Sequence, residues 1–271
     1  MPIRPTKKNS ALPLPLALVL AVVLAAGACA DRPPAPLAET GGRALVLGPD
    51  PGFDPAAAGD PWWRSPQHGP SLFSVADLDG TPALEIEAPD ADQPTSAVFG
   101  RRLAVPLLSM PYLNWAWYLE PAIFGGGAGD GLDRGVRLSI GFYGGSPEAP
   151  QLTDHLFGTG PSGYPIYDRR IDITFGGIGA PRPEDSTQHM AAVDSRGLSY
   201  ELRKDSFGQA GAWKLEALDL AKLYKQFWPR DRMNLTQITF VAVGSLGGRP
   251  TLARTSGPIP LGYVAEISLT R

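Results

Sequence analysis

Apolar and polar residues alternate in short runs along most of the chain beyond residue 80. Tyr112 to Glu120 is the clearest case. Leu113, Trp115, Trp117 and Leu119 fall on one side, with Asn114, Ala116, Tyr118 and Glu120 on the other. Gly135 to Tyr143 repeats the pattern, setting Val136, Leu138, Ile140 and Phe142 against Arg137, Ser139, Gly141 and Tyr143. Shorter runs at Ala83 to Glu87, Ile171 to Phe175 and Leu198 to Leu202 follow suit, and Ile238 to Val243 is β-branched and aromatic. Tyr263, Ala265, Ile267 and Leu269 alternate up to the C-terminus. A period of two predicts strands with one buried and one wetter face, the habit of antiparallel sheets.

One stretch breaks the pattern. Between Trp213 and Trp228, Leu220, Leu223, Tyr224 and Phe227 step at helical spacing, and Pro229 follows. This predicts one short helix covering an end or edge of the sheets. The glycine cluster after Phe124 and residues 144–168 read as long rim loops. The expected fold is mainly β: an antiparallel β-sandwich, jelly-roll-like, with one short helix.

The first thirty residues do not share this patterning. Arg4, Lys7 and Lys8 precede an uncharged, largely apolar run that ends in Ala26-Gly27-Ala28-Cys29. A basic start, an apolar middle and small residues at the end form a secretory signal. A retained transmembrane anchor is disfavoured by Pro13 and Pro15 and by the short run. Cys29, the only cysteine, resembles the acylated cysteine of bacterial lipoproteins, although Ala26 stands where leucine is usual. That resemblance implies cleavage before Cys29 and lipidation of its thiol. With Ala30 next in the chain, it implies an outer-membrane anchor facing the periplasm. Two or more acyl chains would make the anchoring stable. The expected organisation is therefore a signal peptide over 1–28, a lipidated cysteine with a Pro/Ala/Gly-rich tether over 29–60, and one sandwich over 61–271.

Composition narrows the function classes. The chain has 271 residues, with 43% hydrophobic and 19% charged, enough apolar content for a core. Gly 32 and Pro 29 together exceed a fifth of the chain and disfavour long helices. A single cysteine makes no internal disulfide and no cysteine-based zinc site. Residues 1–28 carry three of the 24 basic groups and none of the 27 acids, so the mature chain has net charge −6. With no basic run, nucleic acid is not an expected partner.

Motifs for catalysis are sparse. His68, His155 and His189 lack metal-ligand spacing, and no Gly-x-Ser-x-Gly elbow occurs. The string Gly158 to Gly163 fits a dinucleotide pattern formally, but Pro161 and Pro165 prevent the helix it needs. Asp130, Asp133, Glu184 and Asp185 fall in predicted loops and could approach calcium, yet no EF-hand spacing is met. No metal or cofactor is therefore expected. Paired carboxylates for sugar hydrolysis depend on a separation of ~5–9.5 Å that sequence does not display. If the two clearest strands pair, Asn114, Tyr118, Glu120, Arg137 and Tyr143 share one sheet surface. Aromatic and planar polar groups on such a surface suit sugar rings.

Three segments resemble a bacterial domain-of-unknown-function family, number 3047: Thr95 to Leu103, Pro111-Tyr112-Leu113-Asn114-Trp115-Ala116-Trp117, and Gly135 to Phe142. Gly262 to Leu269 is similar to that family's last strand, so the resemblance covers roughly residues 60–271. Ala116 stands where the family usually has a basic residue. The resemblance implies a sandwich similar to carbohydrate-binding modules and no established activity. The leading expectation is thus a non-catalytic envelope lipoprotein that binds a glycan through an open sheet face, with no catalytic residue. One alternative is a polysaccharide hydrolase or lyase on the same fold, using Glu120, Arg137, Tyr143 and Asp172. The other is a structural lipoprotein docking an unknown protein partner through the 144–168 rim.

Overall fold

A computed structural model of the chain describes residues 42–48, 53–65, 72–88, 97–121, 135–147, 164–175, 189–192, 198–204, 210–246 and 260–271. Cys29, His68, His155, the glycine cluster at 125–129, the four loop acids and the Gly158 to Gly163 string lie outside these residues. In chain order the strands are β1 (Arg43–Leu47), β2 (Trp62–Ser65), β3 (Phe73–Leu78), β4 (Thr81–Glu87), β5 (Val98–Pro106), β6 (Tyr112–Leu119) and β7 (Gly135–Tyr143). They continue with β8 (Arg169–Phe175), β9 (His189–Ala192), β10 (Ser199–Lys204), β11 (Lys214–Asp219), β12 (Gln237–Leu246) and β13 (Pro260–Thr270), with helix α1 (Leu220–Phe227) after β11.

Two sheets form. The first runs β11-β6-β13-β4-β3, with β1 also on β13; the second runs β2-β5-β12-β7-β8-β10-β9. Pairing is antiparallel except between β8 and β10, which are parallel. The expected β-sandwich is therefore the observed architecture. Its core is the set of inward positions that period-two patterning marks out. Leu113, Trp115, Trp117 and Leu119 of β6 are buried, as are Val136, Leu138, Ile140 and Phe142 of β7. The two tryptophan rings meet edge to face, and Trp117 also meets Phe175 of β8 edge to face. Burying such large side chains stabilises by roughly 1.5–3 kcal/mol each, and this favours one fixed register over a slipped one.

Local chemistry sets the turns. The β3–β4 hairpin turns on Asp79 and Gly80, both at positive φ (55° and 80°), and the Asp77 carboxylate accepts from the Gly80 N–H at 2.7 Å. Asp-Gly suits a two-residue turn of this twist. The Asp219 carboxylate caps α1 by accepting from the Lys222 N–H at 2.8 Å.

The structure corrects four sequence expectations. The tether is not unstructured to residue 60, because β1 pairs with β13 from Arg43↔Thr270 to Leu47↔Ile267. The predicted helix begins only at Leu220. Residues 214–219 form β11, because an unpaired edge of β6 offers them hydrogen bonds. The outer face of β7 is not wet. Ser139, Gly141 and Tyr143 are buried, and Tyr164 and Tyr167 pack with Trp63 and Phe240 on that side of the sheet. This also brings part of the 144–168 segment onto a sheet face rather than a rim. At Gly141 a Cβ would come within 2.0 Å of the Phe240 ring, so glycine there lets the ring lie against the strand. The fourth correction is a β-bulge in β13 between Val264 and Glu266, taken up below.

Helix α1 closes one end of the sandwich with Leu220, Leu223 and Tyr224 buried. A polar cluster fastens it there. Arg169 at the start of β8 donates from Nε and Nη2 to the two oxygens of Asp231 (2.8 and 3.2 Å), and the Tyr224 hydroxyl donates to the same carboxylate at 2.9 Å. Burial disfavours the Arg169 charge, but its bond to Asp231 more than offsets this and raises its pKa. Removing one partner of a buried pair strands the other. Asp231→Ala should therefore cost about 3–5 kcal/mol of stability, measured as a lower denaturant midpoint at unchanged slope. A loss near zero would show that water already solvates the cluster.

Candidate functional site

The two clearest strands do not pair. Strand β6 lies between β11 and β13 in the first sheet, and β7 lies between β12 and β8 in the second. The expected five-residue surface is therefore split. Asn114, Tyr118 and Glu120 stand on the outer face of the first sheet, half-buried. Arg137 and Tyr143 stand on the outer face of the second. The same division separates Glu120 from Arg137, Tyr143 and Asp172, the set named for an enzyme.

On the second sheet the polar groups are largely engaged with one another. Asp172 accepts from Ser139 Oγ at 2.7 Å and pairs with Arg170 at 3.0 Å. Arg170 also donates to the Tyr167 hydroxyl, and Arg137 donates to the Tyr164 hydroxyl at 3.3 Å. Tyr143 is buried, and burial and the nearby Asp168 charge push its pKa up. This face is a packed layer fastened by ion pairs.

The first sheet's outer face is more open. Asn114 lies toward the helix-closed end and donates from Nδ2 to Thr270 Oγ1 at 3.0 Å. Further along β6, the register lines up residues across four strands: Tyr118↔Tyr263, Tyr263↔Glu85 and Glu85↔Ser74. Trp213, just before β11, extends this row, its ring 5.9 Å from that of Tyr118, and the Tyr118 and Tyr263 rings are also 5.9 Å apart. Such spacing forms a continuous aromatic strip. Glu120, two residues beyond Tyr118, reaches the same point.

Glu85 is held from two sides. It accepts from the Tyr263 hydroxyl at 3.4 Å and from Ser74 Oγ at 3.3 Å. The Tyr263 hydroxyl is hydrogen-bonded to Glu120 as well. Two carboxyl groups thus share one phenol. Burial raises the Glu120 pKa; its bond to Tyr263 offsets part of the rise, and the charge of Glu85 adds to it. The Tyr263 phenol is pushed up to about 12 by burial and by both glutamates. Burial, then the charges of Glu120 and Asp79, raise the Tyr118 phenol. The phenol carries one proton and cannot donate to two carboxylates at once.

Sequence reasoning named Tyr118 and Glu120 but missed Tyr263, Glu85 and Trp213. Strict alternation puts Tyr263 on the core side with Ile267 and Leu269. The bulge inserts Ala265, so Val264 points inward opposite Trp117 and Tyr263 turns outward opposite Tyr118. Glu85 sits in a predicted strand at a polar position, but nothing local ties it to Glu120, 35 positions later. Among the described residues no group of three or more His, Cys, Asp or Glu is placed to hold a metal ion.

No protein-family model matches the chain, nor does any curated protein. Solved structures with a related sheet arrangement include an endoglucanase Cel12A from Rhodothermus marinus, with TM-score 0.42 and 12% identity over 74% of this chain and 87% of the other. They also include a family 12 xyloglucanase from Bacillus licheniformis, with TM-score 0.39 and 10% identity over 83% and 90%. An endo-1,4-β-glucanase CelB2 gives TM-score 0.39 and 15% identity over 73% and 86%. These scores describe a loose likeness of fold, and no residue role follows from them. These neighbours are hydrolases; the expectation of a non-catalytic module is set aside, and the function is taken up below as a proposal.

The raised Glu120 pKa has a thermodynamic signature. A carboxyl whose pKa is higher in the folded state favours folding below its unfolded pKa of ~4.3, and that contribution is lost as pH rises through the folded value. Stability of the parent relative to Glu120→Gln should therefore fall as pH increases from about 4 toward neutrality. Denaturation midpoints of the two proteins across that range test this; a constant difference would contradict the raised pKa.

Proposed function

We propose that the protein is a polysaccharide hydrolase whose working carboxyl groups are Glu120 and Glu85. The observation that carries this reading is the shared Tyr263 phenol. It lies between two carboxyl groups, one with a raised pKa, and a pair of carboxyl groups is what glycoside hydrolysis uses. Glu120, whose pKa burial raises, donates its proton to the glycosidic oxygen as the C–O bond breaks. Glu85, oriented by Ser74 and Tyr263, faces the developing positive charge on the sugar. It either attacks the anomeric carbon or removes a proton from the incoming water. Trp213 and Tyr118 offer flat apolar faces on which adjoining sugar rings stack.

Release of reducing ends from a panel of soluble and insoluble polysaccharides tests the reading. Glu120→Gln and Glu85→Gln should each lower kcat/KM by about 10²–10⁴-fold while the fold persists. In the parent, kcat/KM should fall as pH rises through the Glu120 pKa, because the proton it donates is lost. No hydrolysis across the panel, or unchanged rates in both variants, would end the proposal.

We further infer that the protein is an exported lipoprotein, acylated at Cys29 and held on the outer membrane facing the periplasm. The basic start, the apolar run and Ala26-Gly27-Ala28 before the sole cysteine support this. The three strand segments quoted above support kinship with the family numbered 3047. Cys29→Ser should move the protein from the membrane fraction to the soluble fraction; retention in the membrane would overturn the lipid anchor.

A further inference from the structure

The end of the sandwich closed by α1 gathers exposed apolar and basic side chains. Strand registers place Tyr112, Thr270, Arg43 and Asp219 in one row at this end. The Leu107 N–H donates to the Thr236 carbonyl, bringing the β5–β6 turn beside the short 3-10 turn Met233–Leu235. Three large apolar side chains are exposed here: Leu108 at 53%, Leu235 at 48% and Tyr112 at 43%. Lys222 on the outer side of α1, and Arg230 and Arg232 beyond it, are exposed at the same end. Its acids are engaged: Asp231 is buried against Arg169, Asp168 accepts from the Gly144 N–H, Asp219 caps the helix, and Glu266 pairs with Arg43. An acidic protein of net charge −3 therefore carries a basic end studded with exposed leucines.

The chain before Gly42 also joins the fold here. Gly42 accepts a hydrogen bond from the Arg271 N–H, and Arg43 opens β1 opposite Thr270. If Cys29 carries the anchor, fewer than fifteen residues join it to this end, a reach of at most ~50 Å.

We propose that this end is a docking surface for an anionic phospholipid bilayer, with Leu108, Leu235 and Tyr112 entering the headgroup region and Lys222, Arg230 and Arg232 meeting its negative charge. Apolar side chains flanked by cations are what an interfacial contact needs. Anionic lipid matches the sign of the patch, whereas a second copy would bring like charge against like. Docked this way, the Glu85–Glu120 row stands off the membrane. Tyr118 lies six residues along β6 from Tyr112, about 20 Å at strand rise.

The test uses the full chain carrying Cys29→Ser, which has no acyl group, so the surface and the lipid anchor succeed or fail separately. The hydrolase reading is not involved. Co-sedimentation is measured with vesicles of phosphatidylglycerol and phosphatidylethanolamine, and with vesicles of phosphatidylcholine alone. Binding to the anionic vesicles only, weakened by salt, is expected. Arg230→Ser and Arg232→Ser should each weaken it about fivefold, and Leu108→Ser with Leu235→Ser should weaken it further with the melting temperature unchanged. No sedimentation, equal binding to both vesicle types, or insensitivity to these variants would overturn the proposal. So would self-association that the same variants abolish in the absence of vesicle binding.

Discussion

The last strand governs the first sheet. Strand β13 takes hydrogen bonds along both edges, from β6 on one side and from β4 and β1 on the other. A strand paired on both sides has no freedom to slide without breaking several ladders at once. Its inward residues Val264, Ile267 and Leu269 are buried against the opposite sheet, so its outward residues are equally fixed. One extra residue, Ala265, then decides which of its side chains face the solvent. The bulge costs one ladder position and turns Tyr263 toward Glu85 and Glu120.

That arrangement explains how a carboxyl pair persists on a sheet surface. Two like charges close together repel, and part burial strengthens the repulsion. The shared phenol relieves it by giving the carboxyl groups a common hydrogen-bond partner. The second sheet solves a similar problem differently. Asp172 and Arg170 neutralise one another directly and are covered by Tyr164 and Tyr167, with the Arg170 guanidinium 5.8 and 5.5 Å from their ring centroids. A satisfied ion pair under an aromatic cover serves packing. On the first sheet the carboxyl groups of Glu85 and Glu120 meet instead at one phenol.

The closed end divides the molecule's tasks by position. The Arg169–Asp231–Tyr224 cluster holds α1 across the sheets, which keeps the apolar layers dry at that end. The same helix and the turns beside it present basic and apolar residues outward. Strand length then separates this end from the carboxyl row, so events at one need not disturb the other.

The alternation of apolar and polar residues by itself determined the strands β4, β6, β7, β8, β10 and β12, the inward faces of β6 and β7, and hence a two-layer β fold. The reason is that side-chain direction in a strand is a local property of the pleat. It also marked Tyr118 and Glu120 as outward residues and the leucine–tyrosine step of α1. Tertiary structure alone decided which strands are neighbours, so that Arg137 and Tyr143 parted from Glu120, and that residues 214–219 extend as β11 rather than coil. It alone placed the bulge at Ala265, because an inserted residue is defined by the ladder of its partner strand and leaves no mark on its own sequence. The meeting of Glu85, Glu120 and Tyr263 follows from pairings among segments up to 178 residues apart, a distance over which sequence pattern carries no geometric information.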